Sequence, residues 1–294
     1  MGDDRAGDAE DGAGSALGAG TQLAAAPAAT AALRVGIVHY LNSWPLAWSF
    51  LRDERPPAGT RPIFLPPARV ADDLRAGALD VGLIPSAELQ RIPGLRVVPG
   101  LGIASQHEVR SVLLVSQVPP AEIRSVALDE SSRTSAVLVQ VLLAERHGVR
   151  PQVAPFRPEL EAMLQTADAA LLIGDPALRV DRARFHVIDL AAEWRALTGL
   201  PFVFAVWAAA PGVPAEPLGA ILRGSLAAAE AELPRLVDTA AAQLGLSREE
   251  VHAYLTEHLS YHLGEPELRS LDEFFRRAHE LGLLPRPQEL RFLG

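Results

Sequence analysis

Residues 125–148 read SVALDESSRTSAVLVQVLLAERHG. The run SVALDE (125–130) is typical of a buried strand, and Ala136 to His147, followed by Gly148, is typical of a helix and its stop signal. Between them, SSRTS (131–135) predicts a turn that leads into the N-terminus of the helix. The free N–H groups and the dipole at such an end favour an anion. We therefore expect this segment to bind a small carboxylate ligand.

Two interpretations of SSRTS stay open on the residues alone. Ser131 or Ser132 can act as an ordinary N-cap with no ligand at all. One cap needs one hydroxyl, whereas four of these five residues carry one, and that density favours a binding segment. Arg133 either adds its charge to the anion or extends into solvent.

Strand-like and helix-like segments alternate on both sides of this stretch. Helical patterns are predicted near 46–52, 67–74, 136–147 and 159–166, and helices dominate after the last strand. The predicted strands are 33–38, 61–65, 79–84, 109–115, 125–130, 152–156, 169–174, 186–190 and 202–208. Two β-α-β-α-β blocks of this kind indicate an α/β protein with mostly parallel sheets covered by helices.

The second block interrupts the first, which predicts two lobes joined by two crossings. We expect the first lobe to comprise 33–118 and 202–294, and the second lobe to comprise 119–201. Residues 1–32 are rich in Gly and Ala and show no apolar periodicity, so we expect them to form a disordered tail.

Ligands of open α/β sheets bind beyond the carboxyl ends of the strands. This rule adds the turn Tyr40–Pro45, Ser86 and the pair Gly174 and Asp175 to SSRTS as candidates in a cleft between the lobes. Within the turn, Asn42 either orients a polar ligand or only shapes the backbone. Asp175 is predicted to cap the following helix rather than to act as a base.

The composition excludes several classes of enzyme. The chain has no cysteine, and all 27 basic residues are arginines. Thiolate nucleophiles, Schiff-base lysines and the P-loop lysine are therefore excluded. The GxGxxG and GxSxG motifs are absent as well, which removes support for nucleotide-binding and α/β-hydrolase sites. His258 and His262 have the i,i+4 spacing of a metal pair, but without an HExxH motif we expect a structural role and no metal.

Charge and hydropathy indicate a cytoplasmic protein that binds neither nucleic acid nor membrane. The net charge is −9, of which −4 lies in residues 1–32, so the chain lacks the basic character of a nucleic-acid binder. The longest strongly apolar stretch, Phe202 to Ala210, is far shorter than the ~20 residues of a membrane span. The acidic, Gly/Ala-rich start does not resemble a secretory signal.

Several motifs in the same order resemble the chorismate dehydratases of the futalosine route to menaquinone. They are YLNSWPL (40–46), GALDVGLIPSAE (77–88), VRSVLL (109–114), SSRTS (131–135), AALLIGDPAL (169–178) and DLAAEWRALTGLPFVFAVWA (189–208). The resemblance implies a two-lobed periplasmic-binding-protein type II fold with chorismate held in the cleft between the lobes. It also implies loss of water from chorismate to give 3-[(1-carboxyvinyl)oxy]benzoate, without a cofactor.

The same resemblance implies roles for individual residues. Asn42 is expected to be catalytic. Our own hypothesis is that the substrate's enolpyruvyl carboxylate removes the ring proton, while Asn42 orients that carboxylate and assists departure of the hydroxyl. Substrate-binding positions are expected at Ser86, Ser111, Ser132, Arg133, Thr134, Ser135, Gly174 and Asp175.

One segment departs from the family pattern, and two other functions stay open. Residues 105–108 read SQHE, so His107 and Glu108 either vary a hinge or add an acid/base pair. A 1,4-dihydroxy-6-naphthoate synthase of the same pathway and a non-catalytic carboxylate-binding protein are the alternatives to the dehydratase.

Overall fold

The computed structural model describes residues 32–53 and 55–294. The expected tail, residues 1–32, lies outside the described residues except for Ala32. Within the described ranges, no helix combines the length and the apolar character that crossing a bilayer requires.

Strands and helices alternate through the first two thirds of the chain, as the apolar patterns predict. In chain order the strands are β1 (Leu33–Val38), β2 (Thr60–Leu65), β3 (Val81–Pro85), β4 (Arg96–Ser105), β5 (Val112–Ser116), β6 (Ser125–Asp129), β7 (Gln152–Phe156), β8 (Ala169–Ile173), β9 (His186–Asp189), β10 (Phe202–Ala209) and β11 (Ser260–His262). The helices are α1 (Trp44–Leu51), α2 (Pro67–Arg75), α3 (Thr134–Arg146), α4 (Leu160–Thr166), α5 (Asp175–Leu178), α6 (Leu190–Thr198), α7 (Ala215–Ala231), α8 (Leu233–Leu244), α9 (Arg248–Ala253) and α10 (Glu265–Glu280).

The strands form two mixed sheets. The first sheet has the order β11-β4-β10-β3-β1-β2, and the second has the order β7-β6-β8-β5-β9. The pairs β1–β2, β1–β3, β6–β7 and β6–β8 are parallel, and the consecutive strands of this set are joined by helices α1, α2, α3 and α4. β5 and β10 run antiparallel to their neighbours. The chain passes to the second sheet between Ser105 and Val112 and returns between Thr198 and Phe202.

The predicted boundary between the lobes is wrong for one strand. Residues 112–116 were assigned to the first lobe, but β5 pairs with β8 and β9 in the second sheet. The pattern of apolar residues identifies β5 as a buried strand, yet it carries no information about its partners. The change of sheet therefore occurs before β5 rather than after residue 118.

Helix α2 lies unusually close to the first sheet. A Cβ added at Gly36 or Gly82 would come within 2.8 or 2.6 Å of the Val70 Cγ1 atom, so glycine at these two strand positions allows the close approach. This packing holds α2, and with it Asp72, against β1 and β3.

A cluster of aromatic rings packs the C-terminal helix α10 onto β10 and α6. Trp194 and Phe274 contact each other edge to face with centroids 6.1 Å apart, and Phe202 lies 5.4 and 5.1 Å from these two rings. The indole N–H of Trp194 donates to the Ser270 hydroxyl at 2.9 Å. Because all three rings are buried, truncating one of them is expected to cost about 3–5 kcal/mol.

Candidate active site

A cavity of about 50 Å³ lies where β1, β3, β4 and β10 of the first sheet meet β5, β8 and α3. Its apolar wall includes Val38, Leu83, Ile103, Val112, Ile173 and Phe204. Its polar wall comprises Tyr40, Asn42, Ser132, Arg133, Thr134 and Ser135. A mostly apolar cavity with a few polar groups converging on it is typical of a small-molecule site.

Asn42 enters the cavity from a 3₁₀ turn, Leu41–Ser43, directly after β1. The Ser43 hydroxyl fixes this turn by donating to the carbonyl oxygens of Val38 and Tyr40. The Asn42 Oδ1 atom is buried and has no hydrogen-bond partner among the described residues. A buried acceptor without a partner costs about 1–3 kcal/mol, a cost that a ligand donating to the Asn42 Oδ1 atom would remove.

Neither Ser131 nor Ser132 caps α3, so that expectation is wrong. Arg133 occupies the cap position, with helical backbone angles and no hydrogen bond from its side chain to the helix end. The Ser131 N–H and hydroxyl instead donate to the Asp129 carboxylate at 2.9 and 2.6 Å. An ionised carboxylate is a stronger acceptor than a hydroxyl, and Asp129 therefore orders the segment. Burial raises the pKa of Asp129 despite these bonds.

Arg133 neither points to solvent nor is free to act as an isolated charge. Its Nη2 atom lies 2.9 and 2.8 Å from the two Asp72 oxygens, and its Nη1 atom lies 3.2 Å from Glu88 Oε2. Extension into solvent, one of the two alternatives predicted for this side chain, is therefore wrong. Its partners lie 61 and 45 residues away in the sequence, beyond the reach of local patterns.

Thr134 lines the cavity, whereas Ser86 lies behind it. The Thr134 hydroxyl accepts from the Ala87 N–H at 3.1 Å and lies 3.4 Å from the Ser86 hydroxyl. Ser86 is fully buried and donates to the Val203 carbonyl at 2.8 Å. These bonds join the end of β3 to the start of α3.

Ser111 supports the site from below rather than lining it. Its hydroxyl is fully buried and accepts from the Tyr254 hydroxyl at 2.7 Å, and its carbonyl accepts from the Gly174 N–H at 2.8 Å. Burial raises the pKa of Tyr254 well above its usual value, so this phenol stays protonated and keeps donating.

Asp175 does not cap the helix that begins with it. Its Oδ1 atom accepts from the Leu41 N–H at 3.0 Å and so holds the turn that carries Asn42. The expected capping role is wrong because the carboxylate turns toward the first sheet. Burial raises the pKa of Asp175. The preceding Gly174 has φ +65°, and the Tyr40 ring lies against its Cα.

A comparison with known protein families identifies the family of this chain. The family model described as "Menaquinone biosynthesis" matches residues 33–280, which contain every residue of the cavity. The chain belongs to this family.

Two curated members of the menaquinone biosynthesis family resemble the chain in sequence. A chorismate dehydratase of Thermus thermophilus is 33% identical over 85% of this chain and 95% of its own length. A chorismate dehydratase of Campylobacter jejuni is 30% identical over 56% of this chain and 58% of its own length. The family resemblance inferred from the motifs is confirmed.

Solved structures confirm the expected α/β, periplasmic-binding-protein-like fold. A crystallised protein of Archaeoglobus fulgidus superposes with a TM-score of 0.70, at 14% identity, over 86% of this chain and 98% of that chain. The periplasmic aliphatic sulphonate binding protein SsuA of Escherichia coli superposes with a TM-score of 0.61, at 18% identity, over 90% and 94%.

Other histidine and acidic residues of this menaquinone biosynthesis family member lie away from the cavity. Glu108 lies 3.7 Å from Arg182 and 3.6 Å from His258, and His262 lies 3.1 Å from Glu230. His107 is not part of the cavity wall. Among residues 32–53 and 55–294, no group of three or more His, Cys, Asp or Glu side chains is arranged to hold a metal ion.

Asp129 was missed by the sequence interpretation. It organises the 131–135 segment by accepting from Ser131, and it lies at the end of a predicted strand, where nothing local distinguished it from its neighbours. Tyr40 lies in the candidate turn Tyr40–Pro45 but was given no role of its own. It forms part of the cavity wall, and its hydroxyl lies 3.4 Å from the Ser131 hydroxyl.

Proposed function

We propose that this protein is a chorismate dehydratase that eliminates water from chorismate to give 3-[(1-carboxyvinyl)oxy]benzoate in menaquinone biosynthesis. It is then a carbon–oxygen lyase. The family membership and the Thermus thermophilus relative, which matches almost along its whole length, support this proposal. A two-lobed fold with a cavity at the strand ends suits a substrate that carries two carboxylates.

The buried, unpartnered Asn42 Oδ1 atom carries the proposal. A carboxamide offers an acceptor and two donors. In our mechanism, Oδ1 accepts from the ring hydroxyl, and the amide N–H groups orient the enolpyruvyl carboxylate. That carboxylate removes the neighbouring ring proton and passes it to the oxygen of the ring hydroxyl as the C–O bond breaks, so the hydroxyl leaves as water and the electron pair of the broken C–H bond completes the aromatic ring. The aromatic ring that forms supplies the driving force, so the protein contributes position and electrostatics.

The start of α3 binds a substrate carboxylate in this mechanism. Ser132, Thr134 and Ser135 present hydroxyls to the cavity, and the first-turn N–H groups of this 13-residue helix add their dipole. The Thr134 hydroxyl accepts from a backbone N–H, so its own proton can be donated. Arg133 adds a cation whose position is set by Asp72 and Glu88.

Ser86, Ser111, Gly174 and Asp175 are support residues in this proposal. They hold the turns that carry the cavity wall, as their hydrogen bonds to Val203, Tyr254 and Leu41 indicate. Asp175 is not assigned as the base, because it lies outside the cavity wall and its Oδ1 atom holds the Leu41 N–H. We also infer that the protein acts in the cytoplasm without a cofactor.

Incubation of the purified protein with chorismate tests the proposal. We expect the enolpyruvyl benzoate to form, and chromatography with mass spectrometry detects it. Unchanged chorismate would overturn the proposal. In that case, turnover of a later pathway intermediate would indicate the naphthoate synthase, and tight binding of a solute without any turnover would indicate a binding protein.

A further inference from the structure

Glu88 is a completely buried carboxylate that contacts three arginines. Its oxygens lie 2.6 Å from Arg75 Nη2, 3.0 Å from Arg91 Nη1 and 3.2 Å from Arg133 Nη1. The Glu88 side chain is 0% exposed, and the arginines are 43%, 31% and 25% exposed. A buried charge of this kind is retained only where it is paired.

The cluster joins two parts of the fold that meet at the cavity. Arg75, Arg91 and Glu88 belong to α2 and to the turn after β3, and thus lie with the first sheet. Arg133 belongs to the turn between β6 of the second sheet and α3. It is the member of this cluster that lines the cavity. Its position therefore depends on a carboxylate on the opposite side of the junction.

The charges of the cluster do not cancel. The two carboxylates, Asp72 and Glu88, face three guanidinium groups, which leaves a formal charge of +1 beside the cavity. Removing the Glu88 charge would raise this to +2. Electrostatics alone then predicts tighter binding of an anionic ligand, whereas loss of the position of Arg133 predicts weaker binding.

We propose that Glu88 is a positioning residue for the substrate cavity: it fixes Arg133, and with it the 131–135 segment, against the first sheet. Arg133 and Glu88 thus form an ion pair that holds the carboxylate-binding wall in place. The inference rests on the proposed function only for the identity of the substrate.

The sign of the change in KM separates positioning from simple charge. In Glu88→Gln we expect the KM for chorismate to rise about tenfold or more, with kcat changed less than about threefold, because binding rather than the transition state alone is weakened. A fall in KM, or no change, would overturn the proposal. Asp80→Asn is the matched control, since it removes a carboxylate bound to Arg34 within the first sheet; its KM is expected to equal that of the wild type.

A double-variant cycle tests whether Glu88 acts through Arg133. Arg133→Gln leaves Glu88 with Arg75 and Arg91, so it is expected to fold even if Glu88→Gln does not. In the Arg133→Gln background, Glu88→Gln should raise KM no further. Independent, multiplicative effects of the two substitutions on KM would contradict an action through Arg133. If only Arg133→Gln folds, an unchanged KM in that variant overturns the proposal.

A distance measurement tests the ion pair without any turnover, and so separates its failure from failure of the proposed function. Because the chain has no cysteine, nitroxide labels can be placed at Ala154→Cys on exposed β7 and Ala220→Cys on the exposed side of α7. Pulsed electron–electron double resonance should give one narrow distribution of the distance between the two labels in the otherwise wild-type chain and in Asp80→Asn. It should broaden or lengthen in Arg133→Gln and Glu88→Gln. Unchanged distance distributions in both variants would overturn the proposal that Glu88 and Arg133 hold the 131–135 segment against the first sheet.

Discussion

Substitution of Gly174 tests the packing behind the cavity, where Gly174 lies against the Tyr40 ring. An alanine at this position meets two separate obstacles. The residue has φ +65° and ψ −147°, a region that side chains beyond glycine rarely adopt. An added Cβ would lie 2.7–2.9 Å from three atoms of the Tyr40 ring. The backbone strain costs about 1–3 kcal/mol. Displacement of the ring, which also weakens the Tyr40–Ser131 contact, adds roughly 1–2 kcal/mol.

We therefore expect Gly174→Ala to lower the free energy of unfolding by about 2–5 kcal/mol. For a chain of this size the melting temperature should fall by roughly 5–15 °C. Thermal and urea denaturation followed by circular dichroism measure both quantities. Gly245→Ala is the control: its φ is +66°, but nothing lies within 4 Å of the added Cβ. That variant should lose only about 1–2 kcal/mol.

The double variant Gly174→Ala with Tyr40→Ala separates the two costs. If the ring causes the clash, the second substitution should cost less in the Gly174→Ala background than alone, because the added Cβ then has room. The reasoning is refuted if Gly174→Ala costs no more than Gly245→Ala, or if the two substitutions are additive.

Three further substitutions test single contacts. Asp80→Asn should lower the free energy of unfolding by about 1 kcal/mol at pH 7. Because Arg34 lowers the pKa of Asp80, this stabilisation is present above pH ~4 and is lost as the pH falls through the lowered pKa. Unfolding curves of the wild type and the variant should therefore differ at pH 7 and coincide at pH 2. Thr134→Val leaves a buried backbone N–H without its acceptor and should cost about 1–3 kcal/mol in urea denaturation, a cost absent if that bond is unimportant. Ser111→Ala should cost a similar amount by leaving the Tyr254 hydroxyl unpaired, and adding Tyr254→Phe should recover part of it.

The sequence predicts the strands that consist mostly of apolar residues well, and the interrupted or very short strands poorly. AALLI is an uninterrupted apolar run and SVALD contains the apolar run VAL, and both are strands at nearly the predicted bounds. The ten-residue strand Arg96–Ser105 was missed because Pro99 and Gly100 interrupt its pattern and read as a turn. The three-residue strand Ser260–His262 lies within a region that helical patterns dominate.

The candidate site likewise has features that the sequence predicts and contacts that it does not. Of the four strand-end candidates, Asn42 and residues 132–135 line one cavity, whereas Ser86 and the pair Gly174 and Asp175 do not. The partners of Arg133 and the bond from Leu41 to Asp175 were not predictable, because they depend on which strand ends meet in three dimensions. Long-range contacts carry no local signature. The wrong assignments of Arg133 and Asp175 arose where a distant partner took over, whereas that of Ser131 arose because Asp129, two residues away, binds it instead.

The most direct test of the central claim is the rate of chorismate dehydration by the wild type and by Asn42→Asp, measured side by side. The substitution keeps the shape of the side chain but replaces both amide donors with a charge that repels the substrate carboxylates. We expect the wild type to form the enolpyruvyl benzoate and the variant, with an unchanged circular dichroism spectrum, to lose at least about 100-fold in kcat. Near-normal dehydration by Asn42→Asp would contradict the assignment of this cavity as the active site.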